Sequence, residues 1–210
     1  FPEVIHDAHA RCYRPFIQTL YEYPQFQFAI HISGWLLEFL FEYHPDDMAL
    51  LHEMVVRGQV EVFGGGDTEP ILAAIPHRDR VGQLVTLSNR LERQLTQRPT
   101  GAWLTERVWE PELAADLAAA GVRYALVDDR HFLVTGFERQ QLHVPYITES
   151  DGRGVTRLPL DERVRSADDF ESGTIAAAVG GTTTIVDYAT QARGGSLGAA
   201  LETWLAKARG

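Results

Sequence analysis

The sequence predicts an α/β fold in which a parallel sheet carries helices on its outside, and a (β/α) barrel fits the pattern best. Three observations carry this expectation. Short apolar or alternating runs recur between longer amphipathic ones. The longer runs stop at proline or glycine. Each short run is followed at once by acids, histidines or glycines.

From about Ile5 to Tyr23, apolar residues at helical spacing (Ile5, Cys12, Phe16, Leu20) predict a helix that stops at Pro24. QFQFAIHIS alternates through Phe26, Phe28, Ile30 and Ile32 and predicts a strand. Trp35 to Arg57 is helical in pattern, with a break at His44-Pro45 and a stop at Gly58. QVEVF is a short strand ending in Gly64-Gly65-Gly66. A helix follows from about Arg78 to Gln97, amphipathic through Val81, Leu84, Leu87, Leu91 and Leu95. TGAWL (100–104) is strand-like, Glu112 to Ala120 is a helix with Pro111 before it and Gly121 after it, and VRYALV (122–127) is again a strand. Beyond about Gly136 the rhythm changes. A hairpin around Asp151-Gly152 is expected, residues 166–182 are weakly patterned, and TTTIV (182–186) precedes a helix from about Ser196 to Arg209.

At 210 residues and 45% hydrophobic, one domain spanning 1–210 is expected. The net charge of −10 argues against a nucleic-acid or anionic-membrane partner, because phosphate binding needs a basic footprint. The single cysteine, Cys12, allows no internal disulfide and no cysteine cluster, which fits a reducing, cytoplasmic setting. No apolar run reaches the roughly 18–20 residues of a membrane span. The chain opens at Phe1 and runs straight into a helical pattern, so a fragment or a trimmed N-terminus is expected.

The polar residues sit where the strands end. FAI is followed by His31, VEVF by three glycines, Asp67 and Glu69, and GAWL by Glu106 and Arg107. YALV is followed by Asp128, Asp129 and His131, and TTTIV by Asp187. In a parallel barrel these positions share the carboxyl face, where sites are built. A single aspartate after a strand is more often a helix cap. Five such ends together predict a clustered polar site. Facing carboxylates suit acid–base or covalent glycosyl chemistry. Trp35, Trp103 and Trp109 suit stacking on sugar faces, and suit a hydrophobic core equally well. His31 is a candidate sugar contact or a hydrogen-bonded core histidine. A metal site at Asp128-Asp129-His131 or His6-Asp7-Ala8-His9 is the weaker alternative, since His6 and His9 are expected to face solvent. Cys12 is expected in the core.

WLTERVWEP (103–111) and GQVEVFGGGDTEPILAAIP (58–76) resemble motifs of glycoside hydrolase family 57, the α-amylases and 4-α-glucanotransferases. YRPF (13–16), HISGWLLEFL (31–40), GVRYALVDDRHF (121–132) and PYITESDGRGVTRLPLDERVR extend the resemblance from residue 1 to about 165. It implies a distorted (β/α)7 barrel and a retaining mechanism on an α-1,4-glucan or maltooligosaccharide, with neither metal nor cofactor. Glu106 would be the nucleophile. His31, Glu69, Trp103, Arg107, Trp109 and Asp129 would contact substrate. An aspartate about 5–5.5 Å from Glu106 would be the acid/base, and Arg107 would favour the ionised nucleophile.

The sequence departs from this family in two places. The first barrel strand with its His-Gln-Pro motif and the C-terminal helical region are absent, which implies an incomplete barrel. An isolated copy would be inactive, poorly folded, or covered at an open strand edge by a second copy in a homo-oligomer. The acid/base stretch, Asp-Gly-Glu-Lys-Phe-Gly in the family, falls on IVDYATQARGG (185–195), where Asp187 pairs with the aspartate in one register and Tyr188 in the other. A non-catalytic glucan-binding protein on the same scaffold is therefore the alternative reading.

Overall fold

The computed structural model describes residues 2–160 together with Ser196, Gly198, Ala199, Glu202, Thr203 and Ala206. The chain divides into two compact units, Phe1–Glu162 and Arg163–Gly210. In the second unit the described residues from Gly198 to Ala206 are helical. Ser196 Oγ accepts from the Ala199 backbone N–H at 3.1 Å, as a helix N-cap does. TTTIV and Asp187 lie outside the described residues.

The first unit alternates strands and helices as expected. Helix α1 (Pro2–Ala8) runs through a π-helical turn (His9–Tyr13) into α2 (Arg14–Tyr21). Strand β1 (Phe28–His31) leads to α3 (Gly34–Tyr43) and α4 (Pro45–Val56), which break at His44-Pro45 because proline lacks the N–H needed to continue a helix. Strand β2 (Val60–Phe63), α5 (His77–Leu95), β3 (Gly101–Ala102), α6 (Leu113–Ala119) and β4 (Tyr124–Asp128) follow. The short α7 (Asp129–Leu133) and the hairpin of β5 (Tyr146–Ser150) and β6 (Arg153–Leu160) complete the unit.

Strands β1 and β2 pair in parallel, as do β3 and β4, and β4 with β6. A parallel bridge between Gly64 and Ala102 joins the two groups, giving the order β1-β2-β3-β4-β6 with β5 antiparallel on the outside. Neighbouring parallel strands that follow sequence order are the progression of a (β/α) barrel, here an arc of one. The chain is thus α/β, with parallel strands and an incomplete barrel. The hairpin turns through Asp151 (φ 51°) and Gly152 (φ 71°), both left-handed as a two-residue loop requires. That its second strand continues the parallel sheet was not legible from alternation alone.

Two apolar clusters flank the sheet, and α5 contributes to both. Leu87, Leu91 and Leu95 pack with Leu37, Leu51, Met54 and Val62. Leu84 packs with Leu113, Leu117, Ala125, Val127 and Phe132. Burying each leucine side chain contributes about 1.5–3 kcal/mol.

The N-terminal helical run departs from expectation. Its inward residues are His9 and Ile17, while Cys12 is exposed and Phe16 is 43% exposed. The π turn inserts an extra residue and rotates the apolar stripe, which a uniform 3.6-residue period misses. His9 therefore does not face solvent. It stacks on His44 at 3.4 Å and lies 3.0 Å from Asp47 Oδ2, while His6 bonds His44 at 2.9 Å.

Candidate active site

The carboxyl ends of β1, β2, β3 and β4 place their polar residues on one rim, and the backbone between them is tightly packed. Gly64 donates to Gly101 O at 2.9 Å and accepts from Trp103 N–H at 3.0 Å, so the loop after β2 lies against the end of β3. A Cβ at Gly65 would stand 2.8 Å from His31 Cε1 and 2.9 Å from Trp103 O. Only glycine allows His31 and the β3 end to approach there.

Glu69 is the centre of the hydrogen bonding. His31 Nε2 lies 2.6 Å from Glu69 Oε1, and Thr105 Oγ1 donates to Glu69 Oε2 at 3.0 Å. His31 Nδ1 faces Phe63 O at 3.3 Å, which fixes the ring. Burial alone would raise the Glu69 carboxyl, but the hydrogen bond and charge of His31 and the Thr105 hydroxyl hold it below its ordinary range. Three strand ends are thereby tied together: β1 through His31, β2 through Glu69, β3 through Thr105.

Thr105–Arg107 form a 3-10 turn with Glu106 exposed at its apex. Glu106 and Arg107 both have φ of 54°, and Glu69 has 57°. Among the described residues the other two left-handed non-glycine positions, Thr96 and Asp151, end a helix and turn a hairpin. A left-handed backbone costs a non-glycine residue about 1–2 kcal/mol, and such conformations collect at functional sites. The turn is held from both sides. Thr105 is bonded to Glu69, and Arg107 Nε lies 3.0 Å from Oδ1 of the buried Asp128. Arg107 thus has Asp128 as its ion-pair partner, while Glu106 projects from the clamped turn.

The remaining candidates separate. Asp129 is buried and paired with Arg139 Nη1 at 2.8 Å, so its carboxylate is committed to a protein partner. Trp109 is 6% exposed and belongs to the core cluster, with the Arg157 guanidinium 5.4 Å from its ring. Trp103 is half-buried beside Gly65, and Trp35 is exposed on α3 and packs near Phe39. Asp187 lies outside the described residues.

Sequence reasoning missed Thr105, Arg139 and Arg157. Thr105 lies inside the WLTERVWEP motif, so its position was visible though its partner was not. No signal in the sequence marks Arg139 or Arg157, which meet Asp129 and Trp109 only through folding. Among the described residues no helix is long and apolar enough to cross a membrane.

An arc of parallel strands whose ends bring carboxylates around a clamped turn defines an incomplete (β/α) barrel with a candidate carboxylate site on its rim. The chain belongs to glycosyl hydrolase family 57, whose model matches residues 1–189. It is 44% identical over 165 residues to the alpha-amylase of Pyrococcus horikoshii, a match covering 79% of this chain and 26% of that protein. The crystal structure of 4-alpha-glucanotransferase from Thermococcus litoralis superimposes with a TM-score of 0.75 at 44% identity, covering 79% of this chain and 26% of that one. The chain spans about a quarter of the length of these relatives. Over 45 residues it is also 62% identical to the D-hydantoinase of Streptomyces coelicolor, a match covering 21% of this chain and 10% of that protein.

Proposed function

We propose that this chain carries the nucleophile of a retaining α-glucan-active glycoside hydrolase or 4-α-glucanotransferase, with Glu106 forming the covalent glycosyl-enzyme. The observation that carries this reading is the Glu106 turn. An exposed carboxylate stands on a left-handed backbone whose two neighbours, Thr105 and Arg107, are anchored to other strand ends. Such anchoring holds an attacking oxygen in place without using its own lone pairs, as a nucleophile requires. Family membership and relatives named as alpha-amylase and 4-alpha-glucanotransferase support the α-glucan as substrate.

Glu106 would attack the anomeric carbon, forming a glycosyl ester and expelling the leaving group. Attack by water or a sugar hydroxyl on the same carbon would release the product with net retention. Half-buried Trp103 and exposed Trp35 offer ring faces to a sugar, while buried Trp109 belongs to the core. Glu69 and His31, bonded to one another, position Thr105.

The test is covalent trapping. Wild-type chain treated with α-maltosyl fluoride should gain one maltosyl unit on the peptide containing Glu106, read by mass spectrometry. Glu106→Gln should gain none. Equal labelling of both would remove Glu106 from the mechanism.

A further inference from the structure

The 45-residue match to D-hydantoinase has no place in glycosyl chemistry, and its length is informative. The Pyrococcus horikoshii alpha-amylase matches 165 residues and the D-hydantoinase 45, which together equal the 210 of the chain. The family-57 motifs run from residue 1 to about 165, and a 45-residue match that does not overlap them would occupy residues 166–210. Independently, the compact units of the fold divide between Glu162 and Arg163. The family-57 model reaches residue 189 and overlaps this block. The 62% identity to D-hydantoinase exceeds the 44% of the alpha-amylase match, which is 165 residues long. The stretch IVDYATQARGG also lacks the Glu-Lys-Phe-Gly part of the family-57 acid motif.

We infer that the chain is composite, joined near residues 162–166, that Asp187 belongs to a hydantoinase-like segment, and that within these 210 residues Asp187 does not serve Glu106 as general acid. This rests on the proposed role of Glu106. It specifies the substrate class: α-glucosyl donors whose leaving group departs without protonation. With a glycosyl fluoride, a Glu106 oxygen attacks C1 and the C1–F bond breaks, its electron pair leaving as fluoride. An anionic nucleophile such as azide then attacks C1, and the C1–O bond to Glu106 breaks to restore the carboxylate. Neither step moves a proton. A sugar alkoxide, by contrast, needs the proton a positioned acid supplies, and general acid catalysis is worth about 10²–10⁴-fold.

The experiment compares the full-length wild type, Asp187→Asn and Glu106→Gln on α-maltosyl fluoride with and without azide, and on maltoheptaose. The composite chain should make α-maltosyl azide equally well, within twofold, as wild type and as Asp187→Asn. Glu106→Gln should make none, and maltoheptaose should stay intact throughout. Cleavage of maltoheptaose by wild type that falls a hundredfold or more in Asp187→Asn would overturn the inference. Absence of azide product from every variant would instead overturn the nucleophile assignment and this inference with it. Long-read sequencing of the gene provides a readout that does not depend on activity. One uninterrupted frame across codons 150–180 is expected, and a frame that continues past residue 165 into family-57 sequence would refute the join.

Discussion

Thr105 donates its hydroxyl to Glu69 Oε2 at 3.0 Å across 36 positions of chain. That bond fastens the residue before Glu106 to the loop after β2, so Glu69 acts on the site through its grip on the turn. Replacing Glu69 by Gln keeps the shape but removes the charge that His31 and Thr105 meet. We expect a loss of about 1–2 kcal/mol, typical of hydrogen bonds to charged groups, and slower labelling of Glu106 by α-maltosyl fluoride. Urea unfolding and adduct mass measure the two effects. Unchanged labelling would show that the turn holds itself.

The same carboxylate predicts a pH dependence. Its folded pKa lies below the ordinary value, so the folded state binds protons less readily there than the unfolded chain. The stabilisation is present above the unfolded carboxylate pKa of about 4.3 and is lost as pH falls through the lower folded value. Wild type should therefore lose more stability than Glu69→Gln between about pH 5 and pH 3. Parallel curves for the two proteins over that range would contradict the bonding described.

The backbone at Glu106 gives a prediction of opposite sign for stability and function. Glycine adopts φ of 54° without steric cost, so Glu106→Gly should raise stability by about 1 kcal/mol while abolishing covalent labelling. Glu106→Gln, which retains the Cβ, should leave stability within about 0.5 kcal/mol, as expected of an exposed side chain. A destabilised glycine variant would mean that the turn carries no strain.

Gly65 tests the close approach of loop and strand. A methyl group there would meet the His31 ring and the Trp103 carbonyl below 3 Å. Gly65→Ala should cost about 1–3 kcal/mol through overpacking and slow the labelling of Glu106. A neutral effect on both would show that the β2 loop can retreat without disturbing the rim.

Buried His9 and half-buried His44 predict a second acid sensitivity, at higher pH. Burial and the charge of His44 lower the pKa of His9, and burial and the charge of His6 lower that of His44. The unfolded chain then binds more protons below about pH 6.5, so stability falls as pH drops through that value. Asp47 opposes the shift at both rings, and Arg14, 2.9 Å from Asp47, reinforces it. His9→Gln should flatten the stability profile between about pH 7 and 5.5, measured by urea midpoints. An unchanged slope would place the titration elsewhere.

The alternation of strands and helices, the break at His44-Pro45, the stop at Gly121 and the Asp151-Gly152 hairpin were legible because each rests on neighbouring residues and a fixed period. The polar strand ends were legible for the same reason: a strand's end is a local event, and parallel strands bring all such ends to one face. The sequence by itself therefore determined the α/β class, the carboxyl-face rim and the motif holding Glu106. Which polar residues serve that rim was decided only by tertiary structure. Asp129 is taken up by Arg139, Arg107 by Asp128, and Trp109 by the core, while Glu69 is drawn to His31 and Thr105. The π turn that buries His9 in place of Cys12 belongs with these, since its extra residue shifts the helix face against α4. Partner choice among like-charged side chains depends on distances between segments dozens of residues apart, and no local period encodes them.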